Sequence, residues 1–215
     1  MQPRAVIFDM DGVIVDSEPR HERAFMEVLR ELGYGDNHGF DFSQYVGLTD
    51  RELWSDFIAR HNPPHAMDAL QAMKRERVLR ILREEEPLFK GLPELIEKLA
   101  PQYKLGLASG SEPVVVEEVL RFKQLRRYFS VVTTSSEVAR GKPAPDIFLR
   151  AAKLLAVAPQ ECWVIEDSKP GVAAGLSAGM KVIAITNTHP ADELSNATMI
   201  VKDYAEIERI LLPPL

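Results

Sequence analysis

Two carboxylates one residue apart, Asp9 and Asp11, close the short apolar run Ala5-Val6-Ile7-Phe8, and Gly12 follows them. Alternate side chains of a strand share a face, so Asp9 and Asp11 project to one side while Met10 points away. Like charges at that spacing repel, and a bound cation is the natural way to keep both ionised. Gly12 lets the backbone turn sharply and approach a ligand closely. Taken alone, the pair reads equally well as an Asx-type turn at a strand end. Two further apolar runs end in a similar way. Lys104-Leu-Gly-Leu-Ala-Ser109 stops in small polar residues with Gly110 and Ser111 after it, and Cys162-Trp-Val-Ile-Glu166-Asp167 stops in acids.

This set of groups suits the hydrolysis of a phosphate ester, which needs a nucleophile, charge neutralisation at the phosphoryl oxygens and a proton for the leaving oxygen. A carboxylate such as Asp9 can attack phosphorus and form an aspartyl-phosphate. Asp11 can protonate the leaving group and later activate water. Asp9, Asp167 and Glu166 are hard oxygen donors of the kind Mg²⁺ prefers. The Ser109 hydroxyl, with the amides of Gly110 and Ser111 expected to open a helix, can bind phosphoryl oxygens. Lys142, in the turn Gly141-Lys142-Pro143, supplies a point charge for the same oxygens. It is not a Walker A lysine, because Pro143 follows it and Ser136 stands where that loop requires its first glycine. No G-x-G-x-x-G follows any strand, so dinucleotide binding is unsupported.

The elements that must position these groups alternate between strand and helix from Pro87 onward. Strands are expected at 104–109, 129–134, 162–167, 181–186 and 199–201, with helices at 113–122, 147–155, 171–178 and 204–212 between or after them. Such alternation calls for a parallel sheet covered on both faces, a Rossmann-like three-layer α/β/α core. Ligands of such sheets bind beyond the carboxyl ends of the strands, where Asp9, Ser109 and Asp167 all fall. Residues 17–86 contain no strand-like run. Ser17 is a candidate cap for a helix with Phe25, Val28, Leu29 and Leu32 on one stripe and Gly33 as its stop. A polar linker over Tyr34–Gly47 and helices over 49–60 and 68–83 complete an all-helical module. The expected organisation is therefore a core of 1–16 and 87–215 carrying a helical cap insert, 17–86, placed to lie over the acidic pair.

Bulk properties narrow the classes further. The chain has 215 residues, 46% hydrophobic and 27% charged, with a net charge of −6. That balance offers no electrostatic footprint for nucleic acid or an anionic membrane surface. The single cysteine, Cys162, excludes an internal disulfide and fits a reducing compartment. No signal-like or membrane-spanning run is present, so a cytoplasmic monomer without nucleic-acid or membrane partners is the expectation.

These residues resemble the haloacid dehalogenase superfamily, and within it the subfamily of β-phosphoglucomutase and small-metabolite phosphatases, across essentially the whole chain. Asp9-Met-Asp11-Gly12-Val13 is similar to its first motif and Ala108-Ser109-Gly110-Ser111 to its second. Gly141-Lys142-Pro143-Ala144-Pro145-Asp146-Ile147-Phe148 is similar to the third, and Glu166-Asp167-Ser168 with Gly171 and Ala178-Gly179-Met180 to the fourth. The resemblance implies Asp9 as nucleophile, Asp11 as acid/base, and Ser109 and Lys142 as phosphate binders. It implies Mg²⁺ held by Asp9, the Asp11 carbonyl and Asp167, with Glu166 as a further ligand or a support. It also implies substrate-facing roles on the insert for His21 and Lys74, although the setting Lys-Arg-Glu-Arg reads as a solvated surface for Lys74. The mutase's phosphate-binding cap arginine is matched by Asp50, with Arg51 one residue off, and its second phosphate site by Glu112-Pro113. The expected activity is therefore hydrolysis of a small phosphorylated metabolite, a sugar phosphate or phosphoglycolate-like ester, with sugar phosphomutase as the alternative. A receiver-type signalling domain would be shorter and lack the insert, and a silent binding protein would be expected to lose Asp9 or Asp11.

Overall fold

A computed structural model describes residues 3–35, 39–41 and 50–213. The chain divides into two compact units, Met1–Asp16 with Pro87–Leu215, and Ser17–Glu86. Among the described residues no helix is long and apolar enough to cross a membrane.

Among the described residues, three helices build the unit of Ser17–Glu86: α1 (Glu18–Glu31), α2 (Asp50–His61) and α3 (Met67–Glu85). The expected stripe on α1 is its buried face, and Phe25, Val28 and Leu29 join Leu53, Trp54, Phe57 and Leu70 in one apolar core. Aromatic rings fill its centre. Phe25 and Trp54 stand 4.9 Å apart between centroids, and Trp54 meets Phe57 edge-on at 5.4 Å, separations at which such pairs add to plain area burial. Gly33 follows α1 with φ +86°, the left-handed stop a glycine provides. Ser17 stands at the N-cap position, but its side chain makes no cap hydrogen bond; its own φ/ψ is already helical rather than extended. Most of the linker read over Tyr34–Gly47, and the expected helix start at Thr49, lie outside the described residues. Arg20 and Arg23 of α1 both bond the carboxylate of Glu85 at the end of α3, each at 2.8 Å.

The other unit holds six parallel strands in the order β3 (Phe129–Thr134), β2 (Lys104–Ser109), β1 (Ala5–Phe8), β4 (Cys162–Glu166), β5 (Lys181–Ile185), β6 (Met199–Val201). β1 is buried along its whole length, as a strand is when helices cover both faces. Its Phe8 lies opposite Leu107 of β2 on one side and Ile165 of β4 on the other. The strand order reverses there, and the crevice at such a switch point lies beyond the carboxyl ends of β1, β2 and β4.

Five helices flank the sheet: α4 (Leu92–Leu99), α5 (Pro113–Arg121), α6 (Asp146–Leu155), α7 (Lys169–Ser177) and α8 (Tyr204–Leu211). One face of the sheet buries Ile7 and Val164 against Phe148, Ala151 and Leu155 of α6 and Val172 and Ala174 of α7. α4 is absent from the sequence reading. Leu92, Leu95, Ile96 and Leu99 do fall at i, i+3, i+4, i+7 and are buried, but two turns are too short for the periodicity to stand out. The chain leaves this unit and returns to it at one place. Val15 forms an antiparallel bridge with Leu88, and the Asp16 N–H donates to the Pro87 carbonyl at 3.0 Å.

Candidate active site

The β1 ladder continues one residue past the strand, where the Asp9 N–H donates to the Ile165 carbonyl at 2.9 Å. This carries the Asp9 side chain to the end of the sheet with only 6% of the residue exposed. The chain then coils tightly, and the Met10 carbonyl accepts from the N–H groups of Val13, Ile14 and Val15. Gly12 is required in that coil on two counts. Its φ is +75°, and a Cβ there would lie 1.8 Å from Asp167 Oδ2.

Lys142 joins the ends of β1 and β4. Its Nζ donates to Asp9 Oδ1 at 2.5 Å and to Glu166 Oε1 at 2.6 Å, and it lies 4.9 Å over the Phe148 ring. The other oxygen of Glu166, Oε2, accepts from the Asp167 N–H at 2.9 Å, the Ser168 N–H at 3.0 Å and the Ser168 hydroxyl at 2.9 Å. A fully buried carboxylate with all four of these partners is a fixed anchor for Lys142. The first turn of α7 is built around it, since a Cβ on Gly171 would lie 1.7 Å from Glu166 Oε1. Replacing Gly171 by Ala is accordingly expected to cost about 3 kcal/mol, the upper end for overpacking. Urea denaturation measures this, and an unchanged midpoint would contradict the contact.

Asp167, also buried, accepts a hydrogen bond at Oδ2 from the Thr188 hydroxyl. One oxygen each from Asp9, Glu166 and Asp167 lie within 4.8 Å of one another. Three carboxylates face one ammonium, and the excess negative charge is reflected in their acidities. Burial, reinforced by Glu166 and Asp11, pushes Asp9 up to about 7 against the opposing pull of Lys142. Burial, with Glu166 and Asp9, likewise raises Asp167 well above the usual carboxylate range. Burial works against the Lys142 ammonium, but Asp9 and Glu166 outweigh it and hold its pKa above the ordinary lysine value. Hard oxygen donors with surplus negative charge, and a backbone kept free of a Cβ at Gly12, fit a divalent cation.

Asp11 belongs to a second, adjoining group. Its Oδ2 accepts from the Ser111 hydroxyl at 2.7 Å and from the Ser109 hydroxyl at 3.4 Å. Ser109 Oγ in turn accepts from the Ser111 N–H at 3.0 Å. The amides of Gly110 and Ser111 therefore do not open a helix as expected. The Ser111 N–H turns back onto Ser109, and α5 starts two residues later at Pro113 with Glu112 as its N-cap. Gly110 is exposed, and its carbonyl accepts from Ser135 Oγ at 2.8 Å.

His21 and Lys74 lie in the helical unit and meet each other. Lys74 is not solvated as its charged neighbours suggest, being 2% exposed. It sits on the side of α3 that packs against α1 and α2, where Nζ pairs with Asp50 and lies 3.1 Å from His21 Nδ1. An ammonium only donates, so Nδ1 of His21 accepts and the ring proton resides on Nε2.

Three contributors escape the sequence reading. Thr188 holds Asp167. Asn187 Nδ2 donates to the Gly12 carbonyl at 2.8 Å and to the Tyr204 hydroxyl at 2.9 Å, and that hydroxyl donates to the Val13 carbonyl at 2.5 Å. The available signal was the polar run Thr186-Asn187-Thr188 directly after β5, at the same carboxyl edge as the other groups.

A model of the haloacid dehalogenase-like hydrolase family matches residues 3–179. The chain is 34% identical over 187 residues to the fructose-1-phosphate phosphatase YqaB of Escherichia coli, covering 84% of this chain and 95% of that protein. It is 34% identical over 193 residues to the phosphorylated carbohydrates phosphatase of Thermotoga maritima, covering 83% of each. Among solved structures, CbbY from Rhodobacter sphaeroides in complex with xylulose-1,5-bisphosphate superposes with a TM-score of 0.79 at 28% identity, over 95% of this chain and 96% of that one.

Proposed function

The chain belongs to the haloacid dehalogenase-like hydrolases, and from that premise we propose that it is a phosphatase of small sugar phosphates acting through an aspartyl-phosphate on Asp9. The observation that carries the reading is the buried Asp9 carboxylate gripped by Lys142, with Asp11 held beside it by two serines. The two relatives named above, a fructose-1-phosphate phosphatase and a phosphorylated carbohydrates phosphatase, support sugar phosphates as the substrate class.

Asp9 supplies the attacking oxygen. Its bond to phosphorus forms as the ester P–O bond breaks, and Asp11 delivers a proton to the departing sugar oxygen. In the second half Asp11 withdraws a proton from water as that water attacks the phosphoryl group, and Asp9 is released. Lys142 faces the phosphoryl oxygens while Glu166 keeps it in place, and the Ser109 hydroxyl turns from its long contact with Asp11 to donate to the same oxygens, leaving Ser111 to hold Asp11. Asp9 and Asp167, with the main-chain carbonyl of Asp11, would hold Mg²⁺, whose positive charge lets a carboxylate approach an anionic ester. Glu166 serves as the anchor of Lys142 rather than as a ligand, because its oxygens are committed elsewhere. The phosphomutase reading is less favoured, since Glu112 brings negative charge to the N-cap of α5 where a second phosphate would need a cation.

Phosphate release from a panel of sugar monophosphates, sugar bisphosphates, phosphoglycolate and nucleotides, with and without Mg²⁺, tests the reading. Hexose monophosphates are expected to turn over best. Absence of phosphate release from every ester would overturn the proposal.

A further inference from the structure

We propose that Thr188 is a positioning residue that sets the orientation of Asp167 for the divalent cation. The inference rests on the cation reading above and adds a residue to it. Thr188 follows β5, and its hydroxyl donates to Asp167 Oδ2. Thr188 Oγ1 also lies 2.9 Å from His189 Nδ1. A hydroxyl has one proton to give. That proton goes to the Asp167 carboxylate, so the His189 contact is made by Nδ1–H donating to Oγ1. The result is a directed chain, His189 Nδ1–H to Thr188 Oγ–H to Asp167 Oδ2.

The backbone closes the same oxygen in from the other side. A Cβ at Gly12 would lie 1.8 Å from Asp167 Oδ2 and 3.0 Å from the Thr188 methyl group. Oδ2 is thus walled between the Gly12 coil and Thr188, while no donor among the described residues bonds Oδ1. That leaves one oxygen of Asp167 fixed by the protein and the other to meet a cation beside Asp9. The neighbouring Asn187 ties the same segment to the Gly12 carbonyl, and Tyr204 ties Val13. The exit of β5 therefore braces both walls of the acidic cluster. Groups that bond a metal-binding side chain orient it, and their loss commonly weakens metal affinity by about 10- to 100-fold.

The test is titration of the purified full-length protein with Mg²⁺, and in parallel with Mn²⁺, by isothermal calorimetry. Thr188→Val keeps the shape and removes the hydroxyl, and is expected to raise the dissociation constant about 10-fold or more. Thr188→Ser restores the hydroxyl and is expected to stay within about 3-fold of wild type. A role in packing alone would leave the Val variant with wild-type affinity, and that result overturns the inference. If the Val variant does not fold, Thr188→Ala at this exposed position carries the same comparison. Wild-type protein that binds neither ion would instead overturn the cation reading, and with it this inference, so the two failures are told apart.

Discussion

Asp9→Asn is expected to lower turnover by about 10⁴-fold or more, the scale on which removing a nucleophile acts. The amide has nearly the shape of the carboxylate, so the residue remains at the end of β1 and its backbone bond to Ile165 persists. What it loses is chemical. An amide oxygen is a poor nucleophile, and the pairing of Lys142 with a negative charge is reduced to its bond with Glu166. Circular dichroism of the variant should match wild type while phosphate release falls to background. Turnover within 10-fold or so of wild type would remove Asp9 from the nucleophile's role. The companion variant Asp11→Asn separates the two halves of the reaction. With an activated aryl phosphate as substrate it should still accept the phosphoryl group on Asp9 yet fail to release it, because no base remains to activate water. Mass spectrometry of the quenched protein locates the trapped group, and a site other than Asp9 would refute the assignment.

Chelation is expected to have the second-largest effect, stopping activity outright until Mg²⁺ is returned. Ca²⁺ should bind and support little turnover, because its longer and looser coordination misplaces an attacking carboxylate. Stability should change with the ion as well, in a direction the acidities fix. A carboxyl whose pKa rises on folding retains a proton that the unfolded chain has already released. Without the cation, folding stability therefore falls as pH climbs from the ordinary 3.8 of an aspartate toward the value of about 7 for Asp9. The cation takes the place of the proton and restores what is lost. The rise in melting temperature on adding Mg²⁺ should thus be larger at about pH 8 than at about pH 5. An equal rise at both would mean that the ion binds away from the acidic cluster.

Much of this site is legible from residue type and order, because strands carry their chemistry at their ends. Asp9, Asp11, Ser109, Glu166 and Asp167 each close a recognisable apolar run, and β2 and β3 begin and end where the pattern places them. Lys142 is harder, since a lysine in a Gly-Pro turn carries no sign of which carboxylates it will meet. Its partners lie 133 and 24 residues away, a distance only the sheet order resolves. Lys74 shows the opposite failure. Its charged neighbours point to solvent, whereas the pairing with Asp50 and His21 that makes its burial tolerable depends on three helices coming together. Thr188, Asn187 and Tyr204 were invisible for a related reason. Each acts through one hydrogen bond to a distant backbone or carboxylate, and a single hydroxyl or amide, in the loop after β5 or at the first position of α8, has no periodicity to betray it.

The bridge between Val15 and Leu88, with the bond from Asp16 to Pro87, has a bearing on descent. The backbone departs and re-enters at a single doorway, so the ends of the intervening 17–86 segment are already joined by the flanking chain. Lengthening, shortening or exchanging such a segment adds little closure entropy, and insertions survive best where the two ends lie together. Within that segment Arg20 and Arg23 clasp Glu85, so it brings its own fastening. Recombination can therefore replace the helical piece as a cassette while β1, β2 and β4 keep their register.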